Sequence, residues 1–465
     1  VLHKGITMLD SYSHFFFVGI AGTGMSAIAQ YLNGIGKKVS GSDRLFGQEQ
    51  KILSESQFEA LGMHCYFQDG RGITPDVDVV VVSTAIEETN VEYQKALQLN
   101  IPIMKRSQLL AEISNSVRTI AVGGTSGKST TTAMIFHILE QCGKSPSLIT
   151  GAGLSVLQEK GLPGNAWVGK SNLLVIESDE SDGSIVNYKP EISLLLNIDR
   201  DHKEFNELEQ LFSTFRDNTK AYFIANQDYP LTKKLSQTNN YNFGTVESAA
   251  VRGTDFKQEG FSISFKVNGV PCTIPAIGKH NMENALAAIA STNALGISIE
   301  ESTKALATFR GIYRRAQLVG KTKDNCYVID DFAHNPAEVA AVIKACQHIA
   351  PRVIAWFQPH GFGPMRFMHN ELTTMVGDAL RENDIFLIAD IYYAGGTVDR
   401  NISSTIVSDA MIANGKKAEY VKDKDFSLKR IKELCQPNDV IIVMGARDPH
   451  LDEFAKEVLN AISKK

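Results

Sequence analysis

The chain has 465 residues, 43% hydrophobic and 21% charged, with a formal net charge of −5. That length gives ample apolar surface for packed cores and, at roughly 150 residues per domain, suggests about three domains. The weak negative charge and the lack of a basic stretch exclude a phosphate-backbone footprint, and no apolar run approaches the ~18–20 residues that span a bilayer, so neither nucleic acid nor membrane is an expected partner.

Short apolar, β-rich runs recur in chain order: Phe15–Ile20, Val77–Val82, Thr119–Val122, Leu173–Ile176, Ile192–Ile198, Cys326–Ile329, Val353–Phe357, Ile385–Ile388 and Val440–Met444. Most are continuous rather than alternating, as strands buried on both faces are. Amphipathic segments of helical length lie between many of them, including Met25–Leu32, Thr130–Gln141, Pro336–His348 and Leu451–Ile462. That alternation predicts an α/β fold with parallel sheets. Residues 245–277 differ: Phe261–Val267 alternates beside Asn268-Gly269, which predicts an antiparallel hairpin. Expected domains are 1–115, 116–318 and 319–465. The six cysteines are scattered without a CxxC pair, and Val1-Leu2-His3-Lys4 has no signal-peptide pattern. Both fit a reducing, cytoplasmic setting and argue against a disulfide framework or zinc site.

Two glycine loops follow strands. The first, Gly19-Ile20-Ala21-Gly22-Thr23-Gly24, joins a strand to a helix, where backbone N–H groups favour a phosphate. The next strand ends at Asp43, a candidate for a ribose or base, and another ends at Ser83. On its own this loop also fits a dinucleotide-binding oxidoreductase. The second loop, Gly124-Thr125-Ser126-Gly127-Lys128-Ser129-Thr130, carries more specific chemistry. Its backbone can cradle phosphates, Lys128 can neutralise them and Ser129 can ligate Mg²⁺. Two later strands end in Glu177-Ser-Asp-Glu-Ser-Asp182 and Asn197-Ile-Asp-Arg-Asp-His202, carboxylate clusters that suit Mg²⁺ beside a nucleotide.

With Gly278-Lys-His-Asn-Met-Glu-Asn-Ala285 and Asp330-Asp-Phe-Ala-His-Asn-Pro336 in the same order, these motifs resemble the Mur ligase family of ATP-dependent amide-forming enzymes. The N-terminal motifs are most similar to its UDP-N-acetylmuramate–L-alanine ligase branch, which also contains a tripeptide-recycling ligase. The resemblance implies three α/β domains: a Rossmann-like one for the UDP-sugar, a phosphate-loop one for ATP, and a Rossmann-like C-terminal one. It implies ATP and Mg²⁺, with UDP-N-acetylmuramate and an amino-acid or peptide acceptor, in a monomer or weak homodimer. Lys128 would grip the β/γ-phosphates, Ser129 and Glu177 one Mg²⁺, and His202 a second metal. His280, Asn281 and Asn284 would surround adenine, Asp330 would reach the ribose, and Arg314 or Arg315 a phosphate. Gly22, Thr23, Gly24, Asp43 and Ser83 would line the UDP site. His334, or a nearby carboxylate such as Asp331, would take the proton of the attacking amine.

The chain departs from the branch at Phe357-Gln-Pro-His-Gly-Phe-Gly-Pro-Met-Arg366. Gly361 and Pro364 stand where the branch has two arginines associated with the acceptor's carboxylate. Neither can form a bidentate pair, which leaves Arg366 and Arg447 as replacements or implies a different acceptor, such as the L-Ala-γ-D-Glu-diaminopimelate tripeptide.

Overall fold

The structure, a computed structural model, describes residues 8–47, 51–199, 204–393 and 399–464. The chain divides into two compact units. One holds the chain as far as Thr254, with Lys266–Cys272 and Glu283–Arg310; the other holds Asp255–Phe265, Thr273–Met282 and the chain from Gly311 onward.

The first unit contains two parallel-rich sheets. Strands β1 (His14–Val18), β2 (Lys38–Asp43), β3 (His64–Phe67), β4 (Val79–Val82) and β5 (Ile103–Lys105) order as β3-β2-β1-β4-β5, all pairings parallel. Helix α1 (Thr23–Gly34) follows β1 and α2 (Arg106–Ser116) follows β5. Phe15 and Phe17 of β1 enter one core, and Phe16 and Val18 enter another. Successive strand residues point to opposite faces, so a strand covered on both sides must be apolar throughout.

The second sheet comprises β6 (Arg118–Gly123), β7 (Ser147–Ile149), β8 (Ala166–Trp167), β9 (Leu173–Glu177), β10 (Ile192–Leu195) and β11 (Tyr222–Ala225). Its order is β11-β10-β6-β9-β7-β8, and only β8 runs antiparallel to its neighbour. β6 leads into helix α3 (Lys128–Gln141). Because β6 lies between β10 and β9, the loops leaving these three strands meet at one sheet edge, where ligands of such sheets bind.

A third sheet orders β12 (Phe243–Gly244), β13 (Val251–Glu259), β14 (Ser262–Val267) and β15 (Val270–Ile274). Asn268 and Gly269 join β14 to β15 with φ of 48° and 87°. Two positive φ values define the hairpin turn that the Asn-Gly pair predicts. Helix α4 (Lys279–Asn293) follows.

In the second unit, β16 (Gln317–Lys321), β17 (Tyr327–Asp331), β18 (Arg352–Phe357), β19 (Ile385–Ala389), β20 (Ala418–Val421) and β21 (Asp439–Met444) form the order β16-β17-β21-β18-β19-β20. All but the β16–β17 pair are parallel. Val353, Ala355 and Phe357 of β18 enter one core, and Ile354 and Trp356 the other. Helices α5 (Pro336–Cys346) and α6 (Phe362–Glu371) leave the ends of β17 and β18. Among the described residues no helix is long and apolar enough to cross a membrane.

Candidate active site

The second glycine loop takes its shape from β6, β10 and α3. Gly127 caps α3 with φ 84°, and a Cβ there would lie 2.5 Å from Asn284 Oδ1. The left-handed backbone favours glycine there, and any side chain would also have to displace the Asn284 amide. Asn197, just past β10, receives the Ser126 N–H at Oδ1 (2.8 Å) and donates Nδ2 to the Ser126 carbonyl (3.0 Å). Thr125 Oγ1 also donates to Asn197 Oδ1 at 2.9 Å and receives the Asp199 N–H at 2.9 Å. These bonds hold the loop open around the first turn of α3, whose N–H groups and dipole favour an anion. Thr130 is half-buried in that turn.

Lys128 is largely buried. Its Nζ donates to the Gly124 carbonyl at 2.7 Å and to Glu180 Oε2 at 3.0 Å. Burial alone would lower its pKa, but the carboxylates of Glu180, Asp179 and Glu177 outweigh burial and hold it above the ordinary value. The ammonium is thus kept charged and pointed back along the phosphate loop. Ser129 Oγ donates to Glu177 Oε2 at 2.9 Å, and the same oxygen receives Thr150 Oγ1 (3.0 Å) and the Gly151 N–H (2.9 Å). A hydroxyl and a carboxylate side by side at the phosphate loop are the oxygen donors that Mg²⁺ takes alongside phosphate and water. His202, the other metal candidate, lies outside the described residues.

The three adenine candidates share α4. Asn284 Oδ1 receives Thr131 Oγ1 at 3.2 Å. Asn281 Nδ2 donates to the Ile277 carbonyl at 2.7 Å. Burial lowers the pKa of the His280 imidazole to about 4, which makes it neutral at pH 7.

In the second unit, Arg314 is buried with Nε 3.0 Å from both oxygens of Asp330, and its Nη2 donates to the Gly445 carbonyl at 2.8 Å. Burial raises the Asp330 carboxyl to about 6, with Arg314 opposing the shift. Arg315 lies half-buried over the Phe332 ring, 3.9 Å from Glu338. Asp331 receives the N–H groups of Ala316 (2.6 Å) and Ala333 (2.7 Å), which fold the chain entering β16 and leaving β17. His334 Nδ1 is 3.2 Å from both the Phe332 carbonyl and Glu338 Oε2, and its ring meets His360 edge-on at 5.1 Å. A proton on Nδ1 makes Nε2 the accepting nitrogen of the neutral ring.

At the first glycine loop, Gly22 and Thr23 are exposed and Gly24 is half-buried at the start of α1. Asp43 receives the Ala21 N–H at 3.0 Å and the Leu45 N–H at 3.1 Å, so it shapes the loop itself. Ser83 is half-buried just beyond β4. Two neighbours of this loop belong to no sequence motif. The Arg106 guanidinium packs on Gly24, where a Cβ would lie 3.1 Å from Nη1, and it reaches Asp182 at 3.3 Å. Asn165 bonds the first turn of α1 from beside β8. Contacts across such chain separations leave no motif; the only signal for Arg106 is a basic residue opening a helix at a strand end.

Arg366 is committed to Asp399, through Nη1 at 3.1 Å to the carboxylate and through Nη2 to the carbonyl. Arg447 is exposed beyond β21. Gly361 has φ 154° and ψ 155°, a conformation essentially confined to glycine, so an arginine with this backbone would be strained.

Known families match along this chain: the Mur ligase family catalytic domain over residues 14–118, the Mur ligase middle domain over 122–292, and the Mur ligase glutamate ligase domain over 314–447. Similar curated proteins include the UDP-N-acetylmuramate–L-alanine ligase of Syntrophomonas wolfei, 35% identical over 93% of this chain and 94% of that protein. That of Aquifex aeolicus is 34% identical over 96% and 97%. Among solved structures, the UDP-N-acetylmuramate-alanine ligase of Thermotoga maritima aligns with a TM-score of 0.78 at 24% identity, covering 97% of this chain and 99% of that one. A murein peptide ligase of Psychrobacter arcticus aligns with a TM-score of 0.67 at 22% identity, covering the same shares. These structural likenesses establish the three-domain fold.

Proposed function

The chain belongs to the Mur ligase family of ATP-dependent ligases, and from that premise we propose that it joins L-alanine to the muramyl carboxylate of UDP-N-acetylmuramate, releasing ADP and phosphate in peptidoglycan biosynthesis. The observation that carries this reading is the Lys128–Ser129–Glu177 arrangement, in a chain whose curated relatives with that activity match it nearly end to end.

A carboxylate is a poor acyl donor because oxide would have to leave. Transfer of the γ-phosphoryl group gives an acyl phosphate, and the amine then attacks its carbonyl carbon to form a tetrahedral oxyanion that expels phosphate. The phosphoryl step needs positioning and charge neutralisation. We assign the first to the Gly124–Thr130 loop and the second to Lys128. Ser129 and Glu177 would hold Mg²⁺, which when bound supplies further positive charge at the phosphates. Arg315, rather than Arg314, is assigned to a phosphate, because Arg314 is spent on Asp330 and Gly445. Asp331 and Glu338 position His334, whose Nε2 is assigned to accept the amine proton.

Gly361 takes a glycine-only conformation and Arg366, though exposed, is paired with Asp399, so the exposed Arg447 is assigned to the acceptor carboxylate. The test is isotopic. Muramyl carboxylate labelled with ¹⁸O should pass one label into inorganic phosphate for each UDP-N-acetylmuramoyl-L-alanine formed. Amide formation with unlabelled phosphate would refute the acyl-phosphate route.

A further inference from the structure

Helix α1 is tied to the edge of the second sheet by a closed polar network. Asn165, immediately before β8, is 4% exposed, and Gln30 on α1 is 8% exposed. The Asn165 amide donates through Nδ2 to the Thr23 carbonyl at 2.8 Å and to Ser26 Oγ at 2.8 Å. Its Oδ1 receives Gln30 Nε2 at 2.8 Å, and Gln30 also donates to the Ser26 carbonyl at 3.0 Å. Ser26 Oγ donates in turn to the Thr23 carbonyl at 3.0 Å. Both Asn165 amide hydrogens have acceptors, and Gln30 fixes which way round the amide lies. A buried network with every donor placed defines one geometry, because any rotation strands a polar group without water.

The acceptors of both Asn165 amide hydrogens lie in the first turn of α1, next to Gly22 and Gly24. Packing apolar residues there would hold the helix just as firmly; amide donors specify the rotation and height of that turn. We propose that Asn165 is a positioning residue for the UDP-sugar. From the ATP-binding sheet it sets the N-terminal turn of α1, whose N–H groups receive the sugar nucleotide's diphosphate. Gln30 is its orienting partner. This rests on reading the Gly22–Gly24 turn as the diphosphate seat, and it adds that the seat's geometry is dictated from a different sheet.

The test compares wild type with Asn165→Asp and Gln30→Met in the full chain. In Asn165→Asp the new carboxylate would present an acceptor to the Thr23 carbonyl in place of a donor. Titration with UDP and steady-state kinetics are read together, with thermal stability as a control. In Asn165→Asp the dissociation constant for UDP and the KM for the UDP-sugar should each rise about tenfold or more, as expected for a buried bond lost with its partner left unsatisfied. The KM for ATP and kcat at saturating UDP-sugar should stay within about twofold, since that variant leaves every bond of the ATP loop in place. Gln30→Met should shift the same two constants by less, which keeps the proposal testable if Asn165→Asp folds poorly. UDP binding at wild-type strength in both variants would overturn the proposal. So would equal rises in the KM for ATP and for the UDP-sugar, which would mark Asn165 as general scaffolding. If wild type does not bind UDP, the reading of the loop fails first and takes the proposal with it; binding by wild type and variants alike defeats the positioning role alone.

Discussion

Replacing Lys128 with methionine removes the ammonium from a cage of three carboxylates while keeping most of the side chain's volume. Lys128 and Glu180 are 14% and 5% exposed, with Nζ 3.0 Å from Oε2. Breaking a pair so buried leaves an uncompensated charge, a loss of about 3–5 kcal/mol. Burial already pushes the Glu180 carboxyl up, so it escapes part of this cost by taking a proton, and the loss should shrink as pH falls. Lys128→Met should therefore lower the urea midpoint more at pH 8 than at pH 5.5. The double variant with Glu180→Gln should recover much of that stability because the stranded charge is gone. Turnover behaves differently. Losing a preorganised cation at the transferring phosphoryl group should reduce kcat by about a thousandfold, and the double variant should recover none of it. Urea unfolding and phosphate release measured on the same preparations separate the two effects. Wild-type stability in Lys128→Met would show that the buried pair does not hold the loop, and restored turnover in the double variant would rule out the role in phosphoryl transfer.

Other consequences follow from the same geometry. Ser129→Ala should raise the Mg²⁺ concentration for half-maximal activity by about ten- to a hundredfold, the usual effect of weakening a metal site; an unchanged Mg²⁺ titration would remove Ser129 from it. Glu92, fully buried with Ser42 donating to it, has its carboxyl raised to about 7 by burial. A raised acid stabilises the fold at pH below its unfolded value and loses that contribution as pH climbs through 7. Wild type should thus lose on the order of 3 kcal/mol between pH 4.5 and 8 that Glu92→Gln does not, and parallel Tm–pH curves would contradict this. Gly361→Arg should cost about 1–3 kcal/mol from backbone strain alone and leave kcat/KM for L-alanine no better; a stable variant with improved L-alanine use would show that the loop can be rebuilt.

Much of the fold is legible because covered strands announce themselves. Leu173–Ile176 and Val440–Met444 are apolar throughout, and each is a strand within one residue of its expected span. Short edge strands are harder to see. His64–Phe67 and Ile103–Lys105 each carry a polar or charged residue in a run of four or three, too little for periodicity to register. The phosphate loop is legible because its residues are contiguous and each has its own chemistry. Arg106 and Asn165 are not, because their partners lie 76 and 142 residues away and only folding brings them together. Motif and structure also divide the two arginines differently: adjacent in sequence and both over Phe332, Arg314 is bonded to buried Asp330 while half-buried Arg315 lies 3.9 Å from Glu338.

The decisive assay is phosphate release from ATP and Mg²⁺ with UDP-N-acetylmuramate, supplied in parallel with L-alanine, with other amino acids, and with the L-Ala-γ-D-Glu-diaminopimelate tripeptide. If the chain ligates L-alanine, release needs both UDP-N-acetylmuramate and L-alanine and disappears in Lys128→Met. Release supported only by the tripeptide or another amine, or none with any acceptor, would contradict it.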